Sequence, residues 1–152
     1  MITGKTRYYA ILGDPIEQAL SPVVHNAAFE ALGMDAVMLG CRVTPEELKK
    51  AVEGTRALHF EGLAVTMPHK TAIIPLLDEW EEKIDFLGAV NVVTCKNGVY
   101  KGYNTDGDGF VQNMKQNGTD PAGKRVFLFG AGGAARGLGY APVSYTHLRA
   151  HE

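Results

Sequence analysis

The chain has 152 residues, 45% hydrophobic and 21% charged, with a formal net charge of −2. That is enough for one domain with its own core and too little for two ordinary ones, within the composition range of soluble globular proteins. The near-neutral balance leaves no footprint for nucleic acid or an anionic membrane surface, and no apolar run approaches the roughly 20 residues that span a bilayer.

The opening MITGKTRYYAILG lacks the long apolar core of a secretory signal. Cys41 and Cys95 are far apart and without metal-ligand spacing. They read as reduced, packed thiols of a cytoplasmic protein, and no metal site is expected.

RYYAILG (7–13) reads as a strand closed by Gly13, Asp14 and Pro15. Ser21 before Pro22 has the form of an N-cap and first helical turn, opening a helix that runs to Gly33. AVMLGCRV (36–43) is the next strand, and Thr44-Pro45-Glu46-Glu47 opens a second helix with Leu48, Ala51 and Val52 at helical spacing. GLAVTM (62–67) is nearly all apolar, as suits a parallel strand covered on both faces. HKTAIIPLLDEW follows as a helical segment kinked near Pro75. Asn97-Gly98 between two β-rich runs predicts a hairpin, and TDGDGFVQNMKQNG (105–118) a short helix ending at Gly118. Strands alternating with helices predict an α/β fold, a three-layer αβα arrangement with a mainly parallel sheet and one antiparallel hairpin.

NGTDPAGK (117–124) marks a boundary, after which RVFLFG (125–130) reads as a strand running into GAGGAARG. A strand and glycine-rich turn of this kind begin a Rossmann unit that continues for many more residues. Instead GLGYAPVSYTHLRAHE contains Pro142 and no apolar period. The expected organisation is one domain over 1–117, the start of a nucleotide-binding unit over 118–140, and a non-native tail over 141–152.

Two sets of residues carry chemistry. In GAGGAA (130–135), Gly130, Ala131, Gly132, Gly133 and Ala134 form a loop whose backbone can approach a pyrophosphate, with a helix N-terminus behind it. Arg136 is placed either to neutralise a phosphate or to face solvent. The second set lies in loops after predicted strands: GDPIEQALSPVVHN, AVTMPHK, GAVN and YNTDG. Ligands of open α/β sheets bind outside the carboxyl ends of strands, so Thr66, Lys70, Asn91 and Asp106 can converge there. Such a cluster suits a polyhydroxylated substrate. Singly, Thr66 packs, Asn91 satisfies backbone and Asp106 caps a helix equally well. His25 and His69 are read as structural, Tyr8, Tyr9 and Trp80 as packing residues.

In order, GDPI with SPVVHN, VTMPHK, GAVN, NTDG and GAGGAAR resemble the signatures of the shikimate dehydrogenase family over residues 7 to 139. The resemblance implies an N-terminal domain for a carboxylated, hydroxylated cyclohexene and a C-terminal Rossmann domain for NADP, with NAD left open. The implied reaction is reversible reduction of 3-dehydroshikimate to shikimate, on the route to chorismate and the aromatic amino acids. It further implies Lys70 and Asp106 as the catalytic pair, substrate contacts from Ser21, Thr66 and Asn91, and a possible homodimer.

Two positions depart from the family pattern. Ala19-Leu20-Ser21-Pro22 replaces Ser-x-Ser-Pro, leaving Ser21 as the one hydroxyl for a carboxylate, and Ala64 precedes Val65-Thr66 where the family has Asn. A lost hydrogen bond to a charged group costs about 1.5–3 kcal/mol, roughly 10- to 150-fold in affinity. The alternatives that stay open are a paralogue acting on quinate or another hydroxy acid, and a binding-only substrate domain.

Overall fold

The structure, a computed structural model, describes residues 1–125, 127–130 and 133–143. Six strands form one sheet: β1 (Arg7–Gly13), β2 (Ala36–Arg42), β3 (Gly62–Val65), β4 (Glu79–Trp80), β5 (Val92–Lys96) and β6 (Val99–Tyr103). The helices are α1 (Ser21–Ala31), α2 (Leu48–Ala57), α3 (His69–Ala72), α4 (Lys83–Leu87), α5 (Asp106–Gln116) and α6 (Gly133–Val143). The strand order is β2-β1-β3-β5-β6-β4. β1 pairs in parallel with β2 and β3, β4 pairs in parallel with β6, and the β3–β5 and β5–β6 pairings are antiparallel. The fold is the expected α/β class with a mostly parallel sheet. Among the described residues no helix is long and apolar enough to cross a membrane.

One face of the sheet carries the larger core. Ala10, Leu12, Leu63, Val65 and Val93 pack with Leu48 and Val52 of α2, with Ile73 and Leu77, and with Ile84 and Leu87 of α4. Each Leu, Ile or Val among them, when fully buried, stabilises by about 1.5–3 kcal/mol relative to exposure. The amphipathic face of α2 explains its position, because Leu48, Val52 and Thr55 recur on one side and are buried. On the other face, the Tyr9 and Phe29 rings lie 5.2 Å apart. There the Asn26 side chain brackets Met38, donating from Nδ2 to its carbonyl at 3.0 Å and accepting its N–H at 2.8 Å. That contact satisfies part of the outer edge of β2, which has no strand beyond it among the described residues.

The hairpin turn forms where expected, with Asn97 at φ 52° and Gly98 at φ 79°, the left-handed pair that a two-residue turn needs. Gly118, at φ 80°, lies just past α5. Arg56 binds the far end of the sheet together. Its guanidinium lies 3.9 Å from the Tyr100 ring centroid and donates to Asp78, Gly98 and Leu76 at 2.8, 3.0 and 3.1 Å.

Several expectations are corrected. Ser21 is the first residue of α1 rather than its cap; Leu20 holds the N-cap position without a side-chain bond, and Pro22 tolerates the first turn because it lacks an N–H to satisfy. The helical segment after Lys70 breaks sooner than expected: α3 is followed by a 3-10 turn over Ile74–Leu76 at Pro75, and Glu79–Trp80 join the sheet. Residues 125 and 127–130 of RVFLFG are not in a strand, and Phe127 and Phe129 are 86% and 88% exposed. A strand is made by its neighbours, and none lies beside this segment among the described residues. α6 continues through Pro142 to Val143, so the helix extends past the expected start of the tail; residues 144–152 lie outside the described residues.

Candidate active site

The site stands at the carboxyl ends of β1 and β3. Because β5 runs antiparallel to β3, Val92 pairs with both Ala64 and Tyr103, so the start of β5 and the end of β6 reach the same edge. Asn91 therefore precedes β5, and Asn104 to Asp106 follow β6, beside the turn that carries Lys70. Topology assembles residues that sequence spacing keeps apart.

The turn after β3 is tightly held. The Thr66 N–H donates to the Leu12 carbonyl at 3.0 Å, and the Thr66 carbonyl accepts from His69 N–H at 2.9 Å. Gly13 ends β1 against the Thr66 γ-methyl; any side chain there would collide with it. His69 is fully buried and donates from Nε2 to the Val43 carbonyl at 2.7 Å, a packing and anchoring role. His25 is exposed and donates from Nδ1 to the Ser21 carbonyl at 2.8 Å, within its own helix.

Lys70, in the first turn of α3, donates from Nζ to Asp106 Oδ2 at 2.5 Å, and the two side chains are 22% and 25% exposed. The pair is thus accessible on one side and shielded on the other, so its attraction is only partly screened. Asn91 Nδ2 donates to the other carboxylate oxygen, Asp106 Oδ1, at 2.7 Å, and to Thr105 Oγ1 at 3.0 Å. Asn91 Oδ1 accepts from Thr105 N–H at 2.9 Å. Asp106 is also the first residue of α5, where the helix N-terminus favours a negative charge. Of the residues singled out from sequence, Lys70, Asn91 and Asp106 form one hydrogen-bonded triad. Thr66 lies in the turn that leads to Lys70, and Ser21 opens α1 outside the triad. Thr105 joins the triad without having been singled out; its place beside Asp106 in YNTDG was its only signal.

Chemically, the triad presents an ammonium group with a proton to give and a carboxylate fixed by two donors. Elsewhere, burial pushes the Cys95 thiol up to about 11 and the Tyr100 phenol up to about 12. Both stay protonated at neutral pH, away from the triad.

For the glycine-rich segment, Gly130 takes φ 109°, a conformation strained for any other residue, ahead of the N-terminus of α6 at Gly133. Ala131 and Gly132 lie outside the described residues, and Gly133 and Ala134 begin α6. Arg136 is exposed, and its guanidinium reaches the Gly88 turn.

The family model described as the shikimate dehydrogenase substrate binding domain matches residues 11–93. The NADP(+) shikimate dehydrogenase of Geobacter metallireducens is 49% identical over 136 residues, covering 89% of this chain and 48% of that protein. The chain thus spans about half the length of the curated relatives it matches. A shikimate dehydrogenase structure from Aquifex aeolicus superposes with a TM-score of 0.92 at 44% identity, over 96% of this chain and 55% of that one. A shikimate 5-dehydrogenase from Listeria monocytogenes, solved with shikimate and NAD, gives 0.89 at 40%, over 95% and 50%. These matches show that the chain belongs to the shikimate dehydrogenase family, through its substrate-binding domain.

Proposed function

We propose that this chain is the substrate-binding half of an NADP-dependent shikimate dehydrogenase, with shikimate and 3-dehydroshikimate as its ligands. The observation that carries the reading is the triad of Lys70, Asp106 and Asn91 at the carboxyl edge of the sheet. Reduction of a ketone adds a hydride to carbon and a proton to oxygen. When bound, a reduced nicotinamide supplies the hydride; the residues that would hold it are the main chain of Gly130, Gly133 and Ala134, with Arg136 for phosphate charge.

The rest of the chemistry belongs to this chain. Lys70 Nζ gives its proton to the substrate oxygen as negative charge develops, and takes it back in the reverse direction. Asp106 holds the ammonium in place and has lone pairs left for a substrate hydroxyl. Asn91 prevents the carboxylate from turning away. Ser21 and Thr66 are the hydroxyls assigned to the substrate carboxylate and ring. The same reading places the protein in the cytoplasm with both cysteines reduced. It also gives the chain a second copy of itself as partner, supported by the exposed Val23, Val24 and Leu32 at α1.

Calorimetric titration with shikimate tests the binding half. The wild-type chain is expected to bind, and Lys70→Ala and Asp106→Ala are each expected to weaken binding by about tenfold or more. Turnover is tested with a cofactor-binding half supplied. A chimera joining residues 1–140 to the C-terminal half of the Geobacter metallireducens enzyme should oxidise shikimate with NADP. Either substitution should lower its kcat by about a hundredfold or more. A folded chimera that keeps near-normal kcat with both residues replaced would overturn the assignment. A wild-type chain that binds quinate in preference to shikimate would move it to the paralogue.

A further inference from the structure

Asn104 is 2% exposed, and the site as described above makes no use of it. Both ends of its amide are engaged. Nδ2 donates to the Ala89 carbonyl at 2.9 Å, and Oδ1 accepts from the Asp106 N–H at 3.1 Å. Next to Ala89, the Val90 N–H donates to the Lys70 carbonyl at 2.8 Å. One buried side chain therefore fixes the main chain of Asp106 directly, and that of Lys70 through a single intervening turn.

A third segment rests on the same amide. The buried Gly137 of α6 lies so close that a Cβ built there would stand 3.3 Å from Asn104 Oδ1, 3.6 Å from Nδ2 and 3.7 Å from Asp106 Cβ. From the preceding residue, Arg136 Nη1 reaches within 2.9 Å of the Cβ position of Gly88, in the turn that Asn104 holds. The glycine-rich segment thus meets the substrate domain at the residues that set the pair.

We propose that Asn104 is the positioning residue of the Lys70–Asp106 pair, and that Gly137 is the contact through which α6 seats on it. The proposal rests on the function assigned above for the meaning of the pair, and it touches no reacting atom itself. Its physical basis is the cost of an unmet buried group. Removing the amide leaves the Ala89 carbonyl and the Asp106 N–H without partners, and both segments shift to recover them.

The test uses the whole 152-residue chain with shikimate as the probe, at a temperature where thermal unfolding shows each variant folded. Asn104→Ala should weaken shikimate about tenfold or more. Asn104→Asp, which keeps the acceptor for Asp106 but turns a carboxylate oxygen toward the Ala89 carbonyl, should weaken shikimate at least as much. Thr55→Ala, a buried polar change at the far end of the sheet, should lower the unfolding temperature comparably and leave affinity within about twofold. Asn104→Ala within twofold of wild type, or Thr55→Ala as damaging to binding, overturns the proposal.

Backbone amide resonances provide a second readout that needs no ligand. Asn104→Ala should move those of Lys70, Val90 and Asp106, and Gly137→Ala, which crowds Asn104 Oδ1, should move those of Val90 and Asp106, with β2 unchanged in each case. Unmoved resonances refute it. If Asn104→Ala fails to fold, Gly137→Ala decides alone. A wild-type chain that does not bind shikimate counts against the proposed function, and the resonances then judge Asn104 separately.

Discussion

Strand β3 and the stretch 127–130 are written in similar letters, GLAV and FLFG, yet Leu63 and Val65 are 2% and 3% exposed while Phe127 and Phe129 are almost wholly so. The difference lies in their neighbours. β3 has β1 on one side and β5 on the other, so its backbone groups are paired and its side chains meet helices on the core face. Phe127 and Phe129 mainly have each other, with ring centroids 5.4 Å apart. An apolar run supplies the material for a strand, and only a partner edge makes it one.

The largest expected effect tests that contrast directly. Leu63→Ala should destabilise the chain by about 2–5 kcal/mol in denaturant unfolding, since it opens a cavity in a closed core. Phe127→Ala, a larger truncation, should stay within about 0.5 kcal/mol. Equal losses would mean that the segment after Gly118 is packed as tightly as the sheet.

Next in size is a gain in the loop between β1 and α1. Ala19→Ser should tighten shikimate by about tenfold or more in calorimetry, as a second hydroxyl meets the carboxylate. Unchanged affinity would show that the region around Ser21 serves another acid.

The smallest effect concerns acid stability. The Tyr100 N–H, followed by Arg56, holds the Asp78 carboxyl below its ordinary value of 3.8. The folded chain therefore binds this proton less readily than the unfolded chain. Its contribution is complete above the unfolded value and is lost as pH falls through the lower folded one. Asp78→Asn should flatten the fall in unfolding temperature from about pH 4 downward, and leave the neutral range little changed apart from the lost ion pair. An identical acid limb in both proteins would separate Asp78 from acid unfolding.

What the sequence made legible follows the range of the forces involved. The Asn97-Gly98 hairpin and the stop at Gly118 are local, set by backbone preferences of one or two residues, and they form where read. β4 was illegible because two residues have no period; Glu79 and Trp80 become a strand only because β6 offers them an edge. The short α4 was equally hidden, closed after five residues by Gly88 at φ 60°. In the site, the chemistry of Lys70 and Asp106 was legible from their types and motifs, although 36 positions separate them. Thr105 and Asn104 were not, because in a loop each reads as an ordinary turn former. Their importance comes from what the antiparallel β5 brings beside them.

Arg56 has a consequence for motion. At the end of α2 it grips the carbonyls of Leu76 and Gly98, the carboxylate of Asp78 and the face of Tyr100. Those groups belong to the 3-10 turn, the hairpin tip, the approach to β4 and the interior of β6. Fraying at this edge cannot begin one strand at a time while that grip holds. The antiparallel half of the sheet is therefore expected to open together with the end of α2 as one cooperative unit, its amides sharing one opening free energy in hydrogen exchange.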